Sequence, residues 1–176
     1  AYEVVTQAQN GNTAKAHYLY ASRKALLCGM IKSRQDFFCL PVVYANHSPK
    51  TMLELLKFAA KPEMTSKEHR EILTAYGITY DKRFEHEETY IRFIKAFTEK
   101  MYSKAKLEES RELARRYYDK ISENALAFDL GYSGRIQAAI SGLLGRGVDV
   151  MFVHSDRQHA DRMQRMGRFH VHAFYP

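Results

Sequence analysis

The strongest constraint on the fold is the pattern after Asn124, where strand-like and helix-like segments alternate. Residues 125–128 form a short apolar run, and residues 129–134 (D-L-G-Y-S-G) have the composition of a turn. Apolar residues at helical spacing follow over 136–144, and a second apolar run occupies 148–153. This order predicts a strand–helix–strand unit, whose strands are parallel and joined by a right-handed crossover. The sequence therefore predicts an α/β fold.

The placement of proline predicts that the middle of the chain is helical. The prolines are at positions 41, 49, 62 and 176, so a long central stretch contains none. Ser48 before Pro49 predicts a helix start, and Thr65 with Glu68 has the spacing of a capping box. We therefore expect a large helical insertion over about 48–122.

Two amphipathic helices are predicted in this insertion. The first starts near Glu85. Its apolar stripe consists of Tyr90, Ile91, Phe93, Ile94, Phe97 and Met101. The second covers about 105–122, with Leu113 and Tyr117 among its apolar positions. Its charged residues, Arg111 included, predict a solvated face with helical ion pairs rather than a contact with nucleic acid.

Polar residues follow three predicted strands. They are Ser22 and Arg23 after a strand predicted at 17–21, Asp129 and Gly131 after the strand at 125–128, and His154, Ser155 and Asp156 after the strand at 148–153. Ligands of open α/β sheets bind at the carboxyl ends of the strands. We therefore expect these residues to converge on one cleft. Ser22 would also cap a helix that follows it, and further helices are predicted at 2–9 and from about Asp156, with a last strand at 169–175.

The turn at 129–134 is the sharpest candidate site. The helix after it begins with unpaired N–H groups that attract an anion, and Ser133 and Arg135 add donors for a phosphate. A structural interpretation stays open, in which the glycines serve the turn, Ser133 caps the helix and Asp129 accepts backbone N–H bonds. A phosphoryl-transfer nucleophile at Asp129 is disfavoured, because Gly131 stands where a second acid would be required.

Net charge favours an anionic partner. The 27 Lys and Arg against 20 Asp and Glu give +7, which suits nucleic acid, acidic lipid, nucleotide and sugar phosphate alike. Cys28 and Cys39 lack the spacing of a zinc site or a disulfide scaffold, and we expect Cys28 to be a packing residue. No apolar run is long enough to cross a bilayer, which predicts a cytoplasmic protein with at most a peripheral contact to the inner membrane.

Two segments resemble paired motifs of large bacterial proteins of cell-surface polysaccharide synthesis. The segments are residues 17–25 (H-Y-L-Y-A-S-R-K-A) and residues 128–137 (F-D-L-G-Y-S-G-R-I-Q). In these proteins, described as haloacid-dehalogenase-like hydrolases or rhamnan-synthesis-type glycosyltransferase partners, a Y-L-x-x-S-R segment precedes a helical stretch and a D-[IL]-G-[WY]-x-G-x-x-Q segment follows it. The order and separation agree here, and the resemblance spans about residues 15–153.

The resemblance implies a set of signature positions and a limited activity. The positions are Ser22, Arg23, Asp129, Gly131, Gly134 and Gln137. The family's aspartate nucleophile motif and its S-R-D-G motif are missing from this sequence. The resemblance therefore implies the C-terminal part of a larger enzyme, and phosphatase activity does not carry over.

We accordingly expect residues 1–176 to form one helix-rich α/β domain with a three-layer, Rossmann-like parallel sheet. It would belong to a glycosyltransferase or hydrolase of bacterial surface-polysaccharide biosynthesis and bind a phosphorylated sugar or sugar nucleotide at the turn 129–135. Arg23 and Arg135 would neutralise phosphate, the N–H groups after Ser133 would cradle it, and Asp129, as the catalytic residue, would hold a sugar hydroxyl or a Mg²⁺ ion.

Two hypotheses of other classes stay open. The chain would then be a non-catalytic module that docks a neighbouring catalytic domain, another subunit or an anionic membrane surface. Alternatively it would bind nucleic acid, a hypothesis that depends on charge alone.

Overall fold

The computed structural model describes residues 19–40, 42–122, 124–129, 134–154 and 171–175, and only the backbone of 23, 24, 153, 154 and 171–175. The helices in this part of the chain are α1 (Arg23–Met30), α2 (Pro49–Leu55), α3 (Ser66–Ala75), α4 (Glu87–Ala96), α5 (Lys104–Tyr118) and α6 (Arg135–Leu144). The strands are β1 (Leu126–Asp129), β2 (Asp149–His154) and β3 (Val171–Tyr175). Short 3₁₀ turns occupy Arg34–Cys39, Tyr44–Asn46 and Lys57–Ala59, and a π-helical turn, Phe97–Met101, extends α4.

The sheet is small and parallel, with the strand order β1-β2-β3. Leu126 of β1 pairs with Asp149 of β2, and Asp129 pairs with Phe152, so the two strands run side by side in the same direction. β2 pairs in parallel with β3 as well. The predicted strand–helix–strand unit is confirmed, and the chain is a helix-rich α/β protein.

The strand predicted at 17–21 is wrong for its described part, since residues 19–22 are not in a strand. The Tyr20 N–H donates to Tyr117 Oη at 3.3 Å, and Tyr118 Oη donates to the Tyr20 carbonyl at 2.9 Å. Side chains of α5 form hydrogen bonds with both the N–H and the carbonyl of Tyr20. This segment therefore lies against α5 and does not pair with a neighbouring strand. His17 and Tyr18, and the helices predicted at 2–9 and from Asp156, lie outside the described residues.

The predicted helix starts are confirmed by their caps. Ser22 Oγ accepts a hydrogen bond from Ala25 N at 3.1 Å at the start of α1. Ser48 caps α2, with Pro49 as its first residue. Thr65 and Glu68 form the capping box of α3, in which Glu68 Oε2 accepts from Thr65 N at 2.7 Å. Caps of this kind each stabilise a helix by about 1 kcal/mol.

The predicted apolar stripe of α4 lies in the core of the helical region. The buried members are Tyr90, Phe93, Ile94, Phe97 and Met101. Ile91, which the sequence analysis placed in the stripe, is instead 46% exposed. Leu113 and Tyr117 of α5 are also exposed, so the apolar face of each helix is narrower than predicted.

Two apolar cores meet at α1 and α5. Leu27 of α1 and Leu107 of α5 belong to the core of the helical region. Leu26 and Tyr118 belong to a second core, which includes Ile140 and other residues of α6. Adjacent residues of α1 therefore face different cores, and α1 joins the helical region to α6.

α1 and α6 touch through their backbones at two glycines. A Cβ atom on Gly29 would lie 2.6 Å from the Ala139 carbonyl oxygen and 2.9 Å from Leu143 Cγ. A Cβ on Gly142 would lie 2.8 Å from the Gly29 carbonyl oxygen. Distances this short exclude any side chain at either position unless the helices move apart.

Arg111 of α5 bridges α1 and α6 beside this contact. Its Nη1 donates to the carbonyl oxygens of Cys28, Gly29 and Ile31 at 2.8, 3.3 and 2.6 Å, and its Nη2 donates to the Gly142 carbonyl at 3.3 Å. The last carbonyls of a helix lack partners within the helix, and here one guanidinium supplies them. The prediction that Arg111 lies on a solvated face is therefore wrong.

The rest of the charged face of α5 agrees with the prediction. Arg115 and Arg116 pair with Glu112 at 2.8 and 2.9 Å, and the hydrogen bonds from Arg115 and then Arg116 lower the pKa of Glu112 to about 2. All three side chains are largely exposed, so such pairs stabilise the fold only slightly.

Gly29→Ala tests the backbone contact between α1 and α6. Helix propensity alone would stabilise α1 by about 1 kcal/mol, because alanine favours a helix interior. We expect instead a loss of about 1–3 kcal/mol in the free energy of unfolding, since the methyl group meets backbone atoms of α6. Urea denaturation measures the sign of this change in the free energy of unfolding. The control is Gly145→Ala, where nothing lies within 4 Å of the added Cβ and only the positive φ of 71° opposes it. A neutral or stabilising Gly29→Ala contradicts the contact.

Arg111→Met tests the guanidinium bridge. The substitution keeps the aliphatic stem but leaves four carbonyl contacts of α1 and α6 without their donor. We expect a loss of about 1–3 kcal/mol in the free energy of unfolding, measured by urea denaturation, because partly buried carbonyls lose a charged donor. Arg116→Met, which removes the same group from an exposed position of the same helix, should change stability by less than about 0.5 kcal/mol. Equal effects of the two substitutions would refute the bridge.

Candidate functional site

The candidate site lies where β1 ends and α6 begins. Asp129 is the last residue of β1, and Arg135 is the first residue of α6. Gly131 and Ser133 lie outside the described residues. Gly134 has φ 57° and ψ 10°, a left-handed conformation that favours glycine, and its carbonyl accepts the first helical bond from Ala138 N at 2.9 Å. The predicted role of Gly134 as a turn glycine is confirmed.

Asp129 and Gln137 are brought together by this geometry. Gln137 Nε2 donates to Asp129 Oδ2 at 2.8 Å, and joins the end of β1 to the first turn of α6. Gln137 is only 4% exposed and Asp129 is half-buried. A carboxylate bonded in this way has few orientations left, so its position relative to α6 is set before any ligand arrives.

The other end of the Gln137 amide has no partner among the described residues. Its Oε1 is buried without a hydrogen bond, and so is the Oγ of Ser141, one helical turn further along α6. An unpaired buried acceptor costs free energy, which a ligand or water donating to it would recover. Ser141 was missed by the sequence analysis, although a serine four residues after Gln137 on an otherwise apolar helix face is a detectable signal.

Arg135 is exposed on the first turn of α6. The N-terminus of a helix carries a partial positive charge, and a guanidinium there adds to it. These two features are ones that the predicted phosphate site requires, and binding of an anion there stays a prediction.

Ser22 and Arg23 do not stand at the end of a sheet strand. They begin α1, and the Ser22 hydroxyl accepts its capping bond from Ala25 N. The backbone of Arg23 is described as the first residue of α1. The predicted convergence of three strand ends is therefore reduced to two neighbouring ends, Asp129 of β1 and His154 of β2.

The site offers oxygen donors that suit a hard cation. The carboxylate of Asp129 and Oε1 of Gln137 are ligand types that Mg²⁺ accepts. Within the described ranges, no group of three or more His, Cys, Asp or Glu side chains could hold a metal ion. A Mg²⁺ ion at Asp129 stays a prediction.

Cys28 has the environment of a packing residue. It is 3% exposed, and its Sγ lies 3.7 Å from the Ala25 carbonyl and 3.9 Å from that of Ser110. Burial raises the pKa of the Cys28 thiol, and the nearby Arg111 guanidinium offsets this only in part. A thiol with a raised pKa is a weak nucleophile at neutral pH.

A polar groove between α3 and α4 was not predicted from the sequence. Two adjoining cavities, of about 380 and 170 Å³, share Gly77, Ile78 and Thr79. Neither is lined by a predicted site residue. The adjacent Lys82 and Arg83 line the smaller cavity, and two neighbouring basic residues after a glycine turn were the available signal.

Comparison of the chain with protein-family models, with curated proteins and with solved structures found no match. The resemblance to polysaccharide-synthesis proteins therefore stays a prediction that depends on two motifs. Among the residues with described positions, no helix combines the length and apolar character needed to span a membrane.

Gln137→Glu tests the buried contact with Asp129. The new carboxyl group would lie buried beside a carboxylate, so its pKa in the folded chain would rise above the unfolded value of about 4.3. A group with a raised folded pKa is tolerated below the unfolded pKa, and stability is lost as the pH rises through the folded pKa. We expect little effect at pH 4 and a loss of about 2 kcal/mol or more at pH 7, measured by urea denaturation.

The matched control is Gln35→Glu, at an exposed position. Its stability relative to the parent chain should depend little on pH. If Gln137→Glu behaves in the same way, the Gln137 side chain does not face Asp129.

Proposed function

We propose that this chain is a domain of a bacterial surface-polysaccharide enzyme that binds a phosphorylated sugar or sugar nucleotide at the β1–α6 turn. The observation that carries the proposal is the hydrogen bond between Asp129 and Gln137 at the carboxyl end of β1. Both residues are signature positions of the motif that resembles those enzymes, and this end of a parallel strand is where α/β proteins bind ligands.

The electrostatics of the turn support a phosphate group as the ligand's anchor. Arg135 is exposed at the N-terminus of α6, where the helix dipole also favours an anion. The N–H groups after Ser133 would add donors. The phosphate would take a bidentate pair of bonds from Arg135, which is stronger than a neutral hydrogen bond.

The sugar would be recognised by the polar pair behind the phosphate. Asp129, oriented by Gln137, can accept a hydrogen bond from a sugar hydroxyl with little further loss of side-chain freedom. Oε1 of Gln137 can accept another, which would satisfy an acceptor that is otherwise unpaired. If a Mg²⁺ ion accompanies the diphosphate of a sugar nucleotide, Asp129 would hold it, and the ion would neutralise phosphate charge.

The same proposal includes a three-layer, Rossmann-like domain with a helical insertion over about 48–122. α6 packs on one face of the sheet, where Ala127 of β1 contacts the core that contains Ile140. A three-layer fold requires cover on the opposite face as well. Leu126 belongs to that face and is 52% exposed.

The exposure of Leu126 also favours the second candidate function, a non-catalytic docking module. A neighbouring catalytic domain seated on this face would bury that side chain. The nucleic-acid hypothesis receives less support, because the arginines of α5 are paired with Glu112 or bound within the fold, and so part of the positive charge on which it depends is neutralised or buried.

Calorimetric titration of the chain with UDP-glucose, GDP-mannose and glucose 1-phosphate tests the proposal. We expect at least one of them to bind. Arg135→Ala and Asp129→Asn should each weaken that binding by about tenfold or more, since each removes a charged partner. Arg116→Ala removes the same charge from a paired, exposed position and should leave the affinity unchanged.

A folded chain that binds none of these ligands refutes the site. If the ligands also leave the melting temperature unchanged while a catalytic partner protein raises it, the docking module is the better description.

A further inference from the structure

A second concentration of positive charge lies far along the chain from the β1–α6 turn. The groove between α3 and α4, which we call the α3–α4 groove, contains the two adjoining cavities described above. Arg70, Thr74 and Tyr80 line the larger cavity, and Lys82, Arg83 and Arg92 are among the residues that line the smaller one. The larger volume, about 380 Å³, is within the range of small-molecule pockets, roughly 300–1,000 Å³.

Two acids at or beside the groove are ion-paired. Glu85, which lines the smaller cavity, pairs with Lys82 at 3.1 Å. Asp81 pairs with Arg70 at 3.1 Å and with Lys50 at 3.7 Å. Among the described residues no carboxylate pairs with Arg83 or Arg92, and Arg92 donates only a long bond, 3.4 Å, to Thr89 Oγ1. Two guanidinium groups without an ion-pair partner among the described residues therefore line the smaller cavity.

Arg70 is held in place at the other end of the groove. Its guanidinium lies over the Tyr80 ring, 4.3 Å from the centroid, and is also bonded to Asp81. A cation held by a ring and a carboxylate loses little conformational entropy when an anion approaches it. The groove thus has a fixed positive group at one end and two exposed arginines at the other.

The floor of the groove is a rigid turn. Gly77 ends α3 with φ 68°; its N–H donates to the Thr74 carbonyl at 2.9 Å, and Ile78 N donates to the Leu73 carbonyl at 2.9 Å. This pair of bonds is the Schellman motif, which requires a left-handed residue at Gly77. A Cβ there would lie 3.4 Å from Arg92 Nη1. That distance is an ordinary van der Waals contact, so the left-handed turn, and not crowding by Arg92, is what requires glycine.

We propose that the α3–α4 groove is a binding site for a small phosphorylated ligand, with Arg83 and Arg92 as the groups that contact its phosphate. Guanidinium groups match the geometry of phosphate oxygens, and basic residues around a concave surface concentrate anions there. The half-buried Tyr80 and the methyl-bearing Thr74 and Thr79 provide a less charged surface for the organic part of the ligand. The site is separate from the β1–α6 turn and does not depend on it.

Inorganic pyrophosphate is the probe that tests this site in the full chain. Calorimetry should show a binding event that depends on the groove arginines, and the ligand should raise the melting temperature. Arg83→Ala and Arg92→Ala should each weaken binding by about tenfold or more, because each removes a charged donor. Arg92→Lys should recover only part of the loss, since an ammonium group lacks the planar fork of arginine.

Two matched substitutions distinguish binding in the groove from binding at the β1–α6 turn and from a general effect of net charge. Arg116→Ala removes an equal charge from α5, and Arg135→Ala removes one from the turn. Both should leave the pyrophosphate affinity of the Arg92-dependent site within about twofold, because neither residue lines the groove. Loss of binding in Arg135→Ala but not in Arg92→Ala would overturn the proposal and assign pyrophosphate to the turn. Equal losses in all variants, or no binding by the parent chain, would overturn it as well.

A thymidine oligonucleotide distinguishes a small ligand from a nucleic acid. We expect it to bind more weakly than pyrophosphate and to fail to displace it. The oligonucleotide could instead bind more tightly than pyrophosphate, with a dependence on Arg92 and a steep loss of affinity with salt. That result would assign the groove to a nucleic-acid backbone and refute the proposal.

Discussion

The contact of α1 with α6 at Gly29 and Gly142 is the constraint on which the other packing depends. The two backbones touch there, and Arg111 of α5 donates to carbonyl oxygens on both helices. Three helices from distant parts of the sequence are thereby held at one point. Because α1 contributes Leu27 to one core and Leu26 to the other, this point also joins the helical region to the strand–helix–strand unit.

The same contact positions the candidate site. Gly142 lies in the second half of α6, and Gln137 and Arg135 lie in its first turn. Since α6 is a rigid rod, fixing its second half against α1 also sets where its first turn meets Asp129. A substitution at Gly29 that separates the two helices would therefore move Gln137 away from β1. It would alter the candidate site although Gly29 does not contact Asp129 or Gln137.

Positive charge is distributed unevenly over the chain. On α5 the arginines are neutralised by Glu112 or are bonded to carbonyls, and near α3 the acids Asp81 and Glu85 neutralise part of the excess. In the α3–α4 groove, Arg83 and Arg92 have no ion-pair partner among the described residues. The sign of the net charge indicates an anionic partner, whereas the place at which it acts depends on how the acids are paired.

The sequence by itself determined the elements whose causes are local. Capping residues such as Ser22 and Thr65, the turn glycine Gly134 and the apolar spacing of α4 act within a few residues of one another, so their pattern is visible in the chain. Asp129 and Gln137 were both named as candidate site residues, Gln137 through the resemblance, but the hydrogen bond between them was not predicted.

Only the tertiary structure decided the features that join residues far apart in sequence. Tyr20 is not in a strand because Tyr117 and Tyr118 form hydrogen bonds with its backbone N–H and carbonyl. Arg111 does not lie on the solvated face because it binds the carbonyl groups at the end of α1. The α3–α4 groove arises in the same way, since Arg70 and Arg92 approach it from different helices. Such contacts depend on the relative placement of whole helices, which no local pattern of residues specifies.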